Sequence, residues 1–190
     1  LEGVTIAKVD SNRKPIPETK TYIPCDTLLL SVGLIPENEL SKTANIALSP
    51  VTGGAITDQN RETSSDGIFA CGNVLHVHDL VDYVSDEAEI AGRGAAQYLS
   101  GNLVKDTDIK VTVDGKVRYC VPQHITYVAD TKLYFRVSDV YKNAKLKIYS
   151  GSEEVYTKKY LKLAPGEMET VTVGEKMLSD ASEIRLELEI

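Results

Sequence analysis

The sequence predicts an α/β segment over residues 1–102 followed by an all-β, sandwich-like domain over residues 103–190. Three observations carry this reading. Asp26–Val32 is an apolar run stopped by Gly33, the pattern of a strand buried on both faces of a parallel sheet. Asp86–Leu99 reads as a long helix. From Ile109 onward, short runs of alternating apolar and polar residues are separated by Gly, Pro and Asn turns, as in a two-layer β domain. A length of 190 residues allows one or two domains.

The elements follow in order. Val4–Val9 reads as a strand, and Ser11–Pro17, rich in polar residues and proline, as a loop. Thr21–Pro24 reads as the return strand, before the buried strand at Asp26–Val32. Pro36, Asn38 and Glu39 open a short helix. Ser49–Gly54 is a turn, and Ala55–Thr57 a short strand. Ile68–Cys71 reads as a strand whose carboxyl end is the tight turn Gly72-Asn73. Ser85 caps the following helix, Asp86 and Glu87 complement its dipole, and Ser100-Gly101-Asn102 ends it. Gly92 and Gly94 inside this helix cost about 2 kcal/mol against alanine, which implies close approach of a sheet or a ligand. The texture changes over residues 102–108. The strands expected beyond it are 109–113, 132–137, 145–149, 170–173 and 183–188.

Composition excludes several classes of function. Lys plus Arg is 21 and Asp plus Glu is 28, a net charge of −7. This acidic balance argues against nucleic acid, which demands a basic footprint. The longest apolar run, Leu28–Leu30 with Val32–Ile35, is far short of the ~20 residues of a membrane helix. The three cysteines, Cys25, Cys71 and Cys120, form no C-x-x-C pair and read as small buried residues in a reducing cytoplasm. Asp58, Glu62 and Asp66 read as solvated loop charges. Tyrosine is common, with seven of ten beyond residue 103, as expected for one wet and one core face on each sheet.

The chemistry concentrates in Thr63–Val74. A buried strand ending in Gly72, with Asn73 at its carboxyl edge, sits where open α/β sheets bind ligands. A helix N-terminus a dozen residues on would aim free N–H groups at the same place. His76-Val-His78-Asp79 is a competing motif, since H-x-H opens some metal sites, but only His124 remains to complete a ligand set. No metal is expected here. The loop reads instead as polar, or as bordering a ligand whose protonation a histidine would tune.

These residues resemble a known superfamily. Thr63–Val74 is similar to the Thr-Ser-x-x-Gly-Ile-Phe-Ala-x-Gly-Asp-Val segment of the flavin-dependent pyridine nucleotide–disulfide oxidoreductases, which include thioredoxin reductase-like enzymes and NADH oxidases. Cys25–Leu40 resembles the strand by which that chain leaves its NAD(P)-binding domain and re-enters its FAD-binding domain. Asp86–Leu99 resembles the helix that closes under the flavin ring. The resemblance covers residues 1–100 and is silent on the β domain. It implies part of a two-dinucleotide-binding-domain flavoprotein fold, with FAD contacts at Gly72, Asn73 and Val74 and at Val84, Ser85 and Asp86. Asn73 stands where the superfamily has an acid, which removes a charge from beside a diphosphate. No G-x-G-x-x-G and no redox cysteine pair is present.

The expectation is therefore the C-terminal part of an FAD- and NAD(P)-dependent oxidoreductase. Its partner would be the rest of the same chain, and alone it would hold neither cofactor firmly. Leu1 runs straight into a strand pattern, which agrees with a segment of a longer chain. No residue stands out as a catalytic acid, base or nucleophile. Open sheet edges would favour pairing with a second copy. The alternative is a non-enzymatic protein-interaction module on a degenerate flavoprotein scaffold.

Overall fold

The computed structural model describes residues 1–190 as two compact units, Leu1–Gly33 and Leu34–Ile190. In the first, β1 (Gly3–Ile6) and β2 (Thr21–Pro24) pair antiparallel, with Gly3 opposite Pro24 and Ile6 opposite Thr21. Asp10 shapes the connecting loop: its Oδ1 accepts the N–H groups of Asn12 and Lys14. The buried strand expected at Asp26–Val32 does not form. This segment pairs with nothing, and Leu29 and Leu30 are 90% and 74% exposed. A strand of a parallel sheet needs hydrogen-bonding neighbours on its edges, and the two-stranded sheet of this unit ends with β1 and β2.

The second unit holds helices α1 (Glu39–Thr43), α2 (Val81–Leu99) and α3 (Glu175–Leu178), and eight strands. The strands are β3 (Ile109–Val113), β4 (Val117–Val121), β5 (His124–Ile125), β6 (Thr131–Val137), β7 (Tyr141–Ser150), β8 (Glu153–Leu163), β9 (Glu169–Val173) and β10 (Glu183–Glu189). They make a five-stranded sheet, β5-β3-β10-β7-β8, and a three-stranded sheet, β4-β6-β9. All neighbours are antiparallel except β10 and β3. The two sheets enclose one apolar core. Ile109, Leu146, Ile148, Leu163, Ile184 and Leu186 enter it from one sheet, and Val117, Leu133, Phe135 and Val173 from the other. The alternation of the sequence is this inward and outward pleat. No helix is long and apolar enough to cross a membrane.

The expected strands of the β domain all appear, β6, β7, β9 and β10 with extended ends. β4, β5 and β8 were not expected. β8 carries Lys158, Lys159 and Lys162 along an edge, so its pattern reads as polar. Charge on an edge strand discourages pairing with other chains.

Residues 34–101 lie against the sandwich rather than forming a parallel sheet. The strand-like pieces are single bridges: Leu48 with Ala55, Thr57 with Thr63, and Glu62 with Phe69. Packing continues across residues 102–108, because the 57–62 segment bonds to the 123–127 loop. The Thr57 carbonyl accepts the N–H groups of Gln123 and His124, at 3.1 and 3.2 Å. Gln59 Oε1 accepts the Thr126 N–H at 2.8 Å, and Tyr127 Oη donates to Asn60 Oδ1 at 3.0 Å. Asp58 and Glu62 are thus buried, and of the three expected surface acids only Asp66 is exposed. Polar side chains in this number are buried because they hydrogen-bond to one another and to backbone.

Helix α2 begins at Val81, five residues earlier than expected, with Leu80 extended before it. Ser85 therefore does not cap it; its hydroxyl donates back to the Val81 carbonyl at 3.2 Å. The buried stripe of α2 is Glu87, Ala91 and Gly94, spaced four and three residues apart on one face. A Cβ on Gly94 would lie 2.6 Å from the Asn60 carbonyl oxygen. The close approach expected of this glycine is thus to protein.

Candidate functional site

The site is built on the turn that follows Cys71. Gly72–Val74 is one turn of 3-10 helix, entered by Gly72 at φ 70°, a left-handed conformation that favours glycine. Gly72 N–H donates to Glu87 Oε2 at 3.0 Å, so the turn is pinned to α2. Asn38 holds it from the other side, with Nδ2 donating to the Gly53 and Val74 carbonyls at 2.9 and 2.8 Å. Asn73 is exposed. Its Oδ1 accepts the His78 N–H at 3.1 Å, which leaves its Nδ2 directed to other partners.

Glu87 is the centre of a buried polar cluster. Its Oε1 accepts from Arg61 Nε and from His76 Nε2, each at 3.0 Å. Its Oε2 lies 3.3 Å from His78 Nε2, without the alignment of a hydrogen bond. Arg61 and Glu87 are both fully buried, and the guanidinium lies 5.4 Å from the Tyr134 ring centre. Burial alone would push the Glu87 carboxyl up. The His76 and His78 imidazoles and the Arg61 charge outweigh it and hold Glu87 below the usual carboxylate range. Burial lowers His76 below its ordinary value, against the opposing pull of Glu87, so His76 is neutral at pH 7. Arg61 and Glu87 are one cation and one anion, with the neutral His76 imidazole on the same Oε1.

His76, His78 and Glu87 also form a donor set of the kind that holds a divalent cation, their ligand atoms all within 4.8 Å of one another. Arg61 works against that use. Its Nε already holds Glu87 Oε1 at 3.0 Å, and its fixed positive charge would repel an ion bound there.

The structure separates the six expected contact residues. Gly72, Asn73 and Val74 form the turn, and Val84 Cγ1 lies 3.5 Å from where a Gly72 Cβ would be, so these four cluster. Ser85 and Asp86 lie beyond the first four residues of α2, past its free N–H groups. Asp86 bonds instead to Lys132 Nζ at 2.8 Å. The cysteines differ: Cys120 is buried, and burial pushes its thiol up to about 12, whereas Cys25 and Cys71 are half-buried.

With the turn and its helix in view, the likeness to known proteins has a place in the fold. Residues 2–95 match the model of the family described as pyridine nucleotide-disulphide oxidoreductase. The match spans 94 of the 190 residues and supports a domain of that family in this part of the chain. The Gly72–Val74 turn, Glu87 and α2 as far as residue 95 fall within the matched segment; the end of α2 and the eight-stranded sandwich fall outside it. No solved structure matches the chain.

Sequence reasoning found the H-x-H motif and Gly72 but not Arg61, Glu87 or Asn38 as their partners. Glu87 reads from the sequence as a charge in the first turn of a helix. The small residues Ala91 and Gly94, four and seven positions on, mark the same face as buried, which is the pattern that would have placed Glu87 inside.

Proposed function

We propose that this chain supplies the C-terminal part of an FAD-dependent NAD(P)H oxidoreductase that passes hydride from nicotinamide to flavin and electrons onward to an acceptor. The observation that supports it most is the family match over residues 2–95 together with the rigid Gly72–Val74 turn, pinned by Glu87 beside the start of α2. These residues fit a flavin nucleotide in part. Asn73 has an outward amide able to donate, Val74 is partly exposed beside it, and the free N–H groups of Val81–Val84 favour an anionic group. Gly72 serves as the turn itself, because its N–H is already bonded to Glu87. The flavin, when bound, supplies the redox chemistry. The residues of this chain orient it.

The exposed apolar run from Leu28 to Ile35 supports an additional layer of protein over this part of the fold. The absence of any G-x-G-x-x-G means that the pyrophosphates of FAD and NAD(P) must be cradled by other sequence. The test is to read the gene upstream of Leu1 and assay the full product with NADH, NADPH and ferricyanide. The expected result is a frame containing two strand–GxGxxG–helix units and a yellow protein that reduces the dye. A full product without those units, free of flavin and inactive, overturns the reading. It would favour a protein-interaction module instead.

A further inference from the structure

A cavity of about 450 Å³ opens beside the Glu87 cluster, within the usual range of ~300–1,000 Å³ for small-molecule pockets. Its floor is the His76–Asp79 loop of the oxidoreductase segment, and one wall is the sandwich, through Arg118, Tyr119 and Arg136. Leu34, Ile35, Pro36 and Val51 make an apolar wall.

Strand β4 is distorted on this wall. In the β4–β6 ladder Val117 opposes Val137 and Tyr119 opposes Arg136, so Arg118 is the extra residue of a bulge. Successive residues of a regular strand point to opposite faces. The bulge instead puts both Arg118 and Tyr119 on the cavity, a common use of such irregularities beside binding sites.

The charges around the cavity do not cancel. Asp79 matches the charge of Arg136, which also donates to Tyr119 Oη and the Pro165 and Val77 carbonyls. Arg61 and Glu87 neutralise each other behind His76. Arg118 takes part in no ion pair and is exposed at the rim. Tyr119 Oη accepts the Arg136 N–H, which leaves its own proton to donate. His78 lines the cavity with a side chain 1% exposed; its Nε2 faces Glu87 Oε2 at 3.3 Å, and its Nδ1 has no partner. Buried polar atoms of this kind are rare unless a partner visits them.

We infer that this cavity binds a small monocarboxylate with an apolar body, its carboxylate held by Arg118 and Tyr119 and its body against Leu34–Pro36. One unbalanced positive charge with one further donor matches one carboxylate, and the hydrocarbon wall matches the remainder. The inference does not depend on the flavin reading.

The test is 19F NMR titration of the full 190-residue chain with 4-(trifluoromethyl)benzoate, using the neutral amide of the same body as control. The expected result is saturable one-to-one binding of the acid, with the amide at least about tenfold weaker. Arg118→Gln, at an exposed position, is expected to keep the fold and weaken the acid by at least about tenfold while leaving the amide unchanged. Tyr119→Phe is expected to weaken the acid several-fold. Equal binding of acid and amide, an Arg118→Gln chain that binds as the parent does, or no saturable binding up to about 10 mM would each overturn the proposal. The assay contains no flavin, so its failure leaves the oxidoreductase reading standing, and the reverse also holds.

Discussion

At the residue scale, Glu87 decides most. It is the sole carboxylate facing Arg61, and it also fixes His76 and the Gly72 turn. Glu87→Gln would leave the guanidinium buried without a counter-charge. Removing one partner of a buried ion pair costs about 3–5 kcal/mol. The expected outcome in urea unfolding is a loss of that size, with much of it recovered in Arg61→Met/Glu87→Gln, where no charge is left unpaired. A simple additive loss in the double variant would contradict the cluster. The pH dependence follows from His76. Its native affinity for protons is lowered, whereas in the unfolded chain it titrates near 6.5. Below that pH the unfolded state gains a proton that the native state does not. The stabilisation is therefore complete above about pH 6.5 and is lost as pH falls through the native value. Glu87 acts in the same direction at lower pH, because its native carboxyl is also held down. Urea midpoints should decline from pH 7 to 5, and His76→Gln should flatten that decline. These residues were only half legible beforehand. The H-x-H motif is visible in the sequence, but pairing His76 with a residue eleven positions on and Arg61 with one twenty-six on requires the fold.

At the element scale, α2 shows what its small residues are for. The expectation that both glycines mark close approach is met by one of them. Gly94 lies against the Asn60 carbonyl and the Phe69 ring, while a Cβ on Gly92 would meet nothing within 4 Å. The two alanine substitutions should therefore have opposite signs. Gly92→Ala should stabilise by about 0.5–1 kcal/mol through helix propensity. Gly94→Ala gains the same propensity but forces a methyl onto backbone, and should destabilise by about 1–3 kcal/mol. Thermal unfolding of the two variants checks this, and a shared sign would show that the packing of α2 on the 60–69 segment is wrong. The start of α2 was misplaced because Ser85 is a good cap by type, yet the chain turns helical at Val81 and uses Ser85 inside the helix. Alternation identified the core strands well, because each buries one face. It failed for Asp26–Val32, whose apolar residues lack a partner strand, and for β8, where lysines hide the pleat.

At the scale of the whole molecule, the family-matched residues from Leu34 onward depend on the sandwich. Composition changes at 102–108, yet the residues before and after this point share one packed unit from Leu34 to Ile190. The apolar cluster on the earlier side is small: Ile46, Ala55 and Leu75, completed by Val121 of β4. Its remaining cohesion comes from polar contacts to the sandwich. They include Thr57 with Gln123, Gln59 with Thr126, and the Val77 carbonyl with Arg136. A cluster of four buried side chains cannot offset the ordering entropy of nearly 70 residues, which runs at about 1.5 kcal/mol for each. The sandwich core is much larger and is closed by its own two sheets. The two parts should therefore behave unequally when separated. Residues 34–102 produced alone should be unfolded, with a collapsed amide spectrum in NMR. Residues 103–190 should keep a dispersed β spectrum with reduced stability, because Val121 and the 123–127 loop lose their cover. The 34–190 chain should unfold in one cooperative transition. If 34–102 instead folds by itself, the oxidoreductase segment has its own core, and the polar contacts to the sandwich are an interface between independent domains.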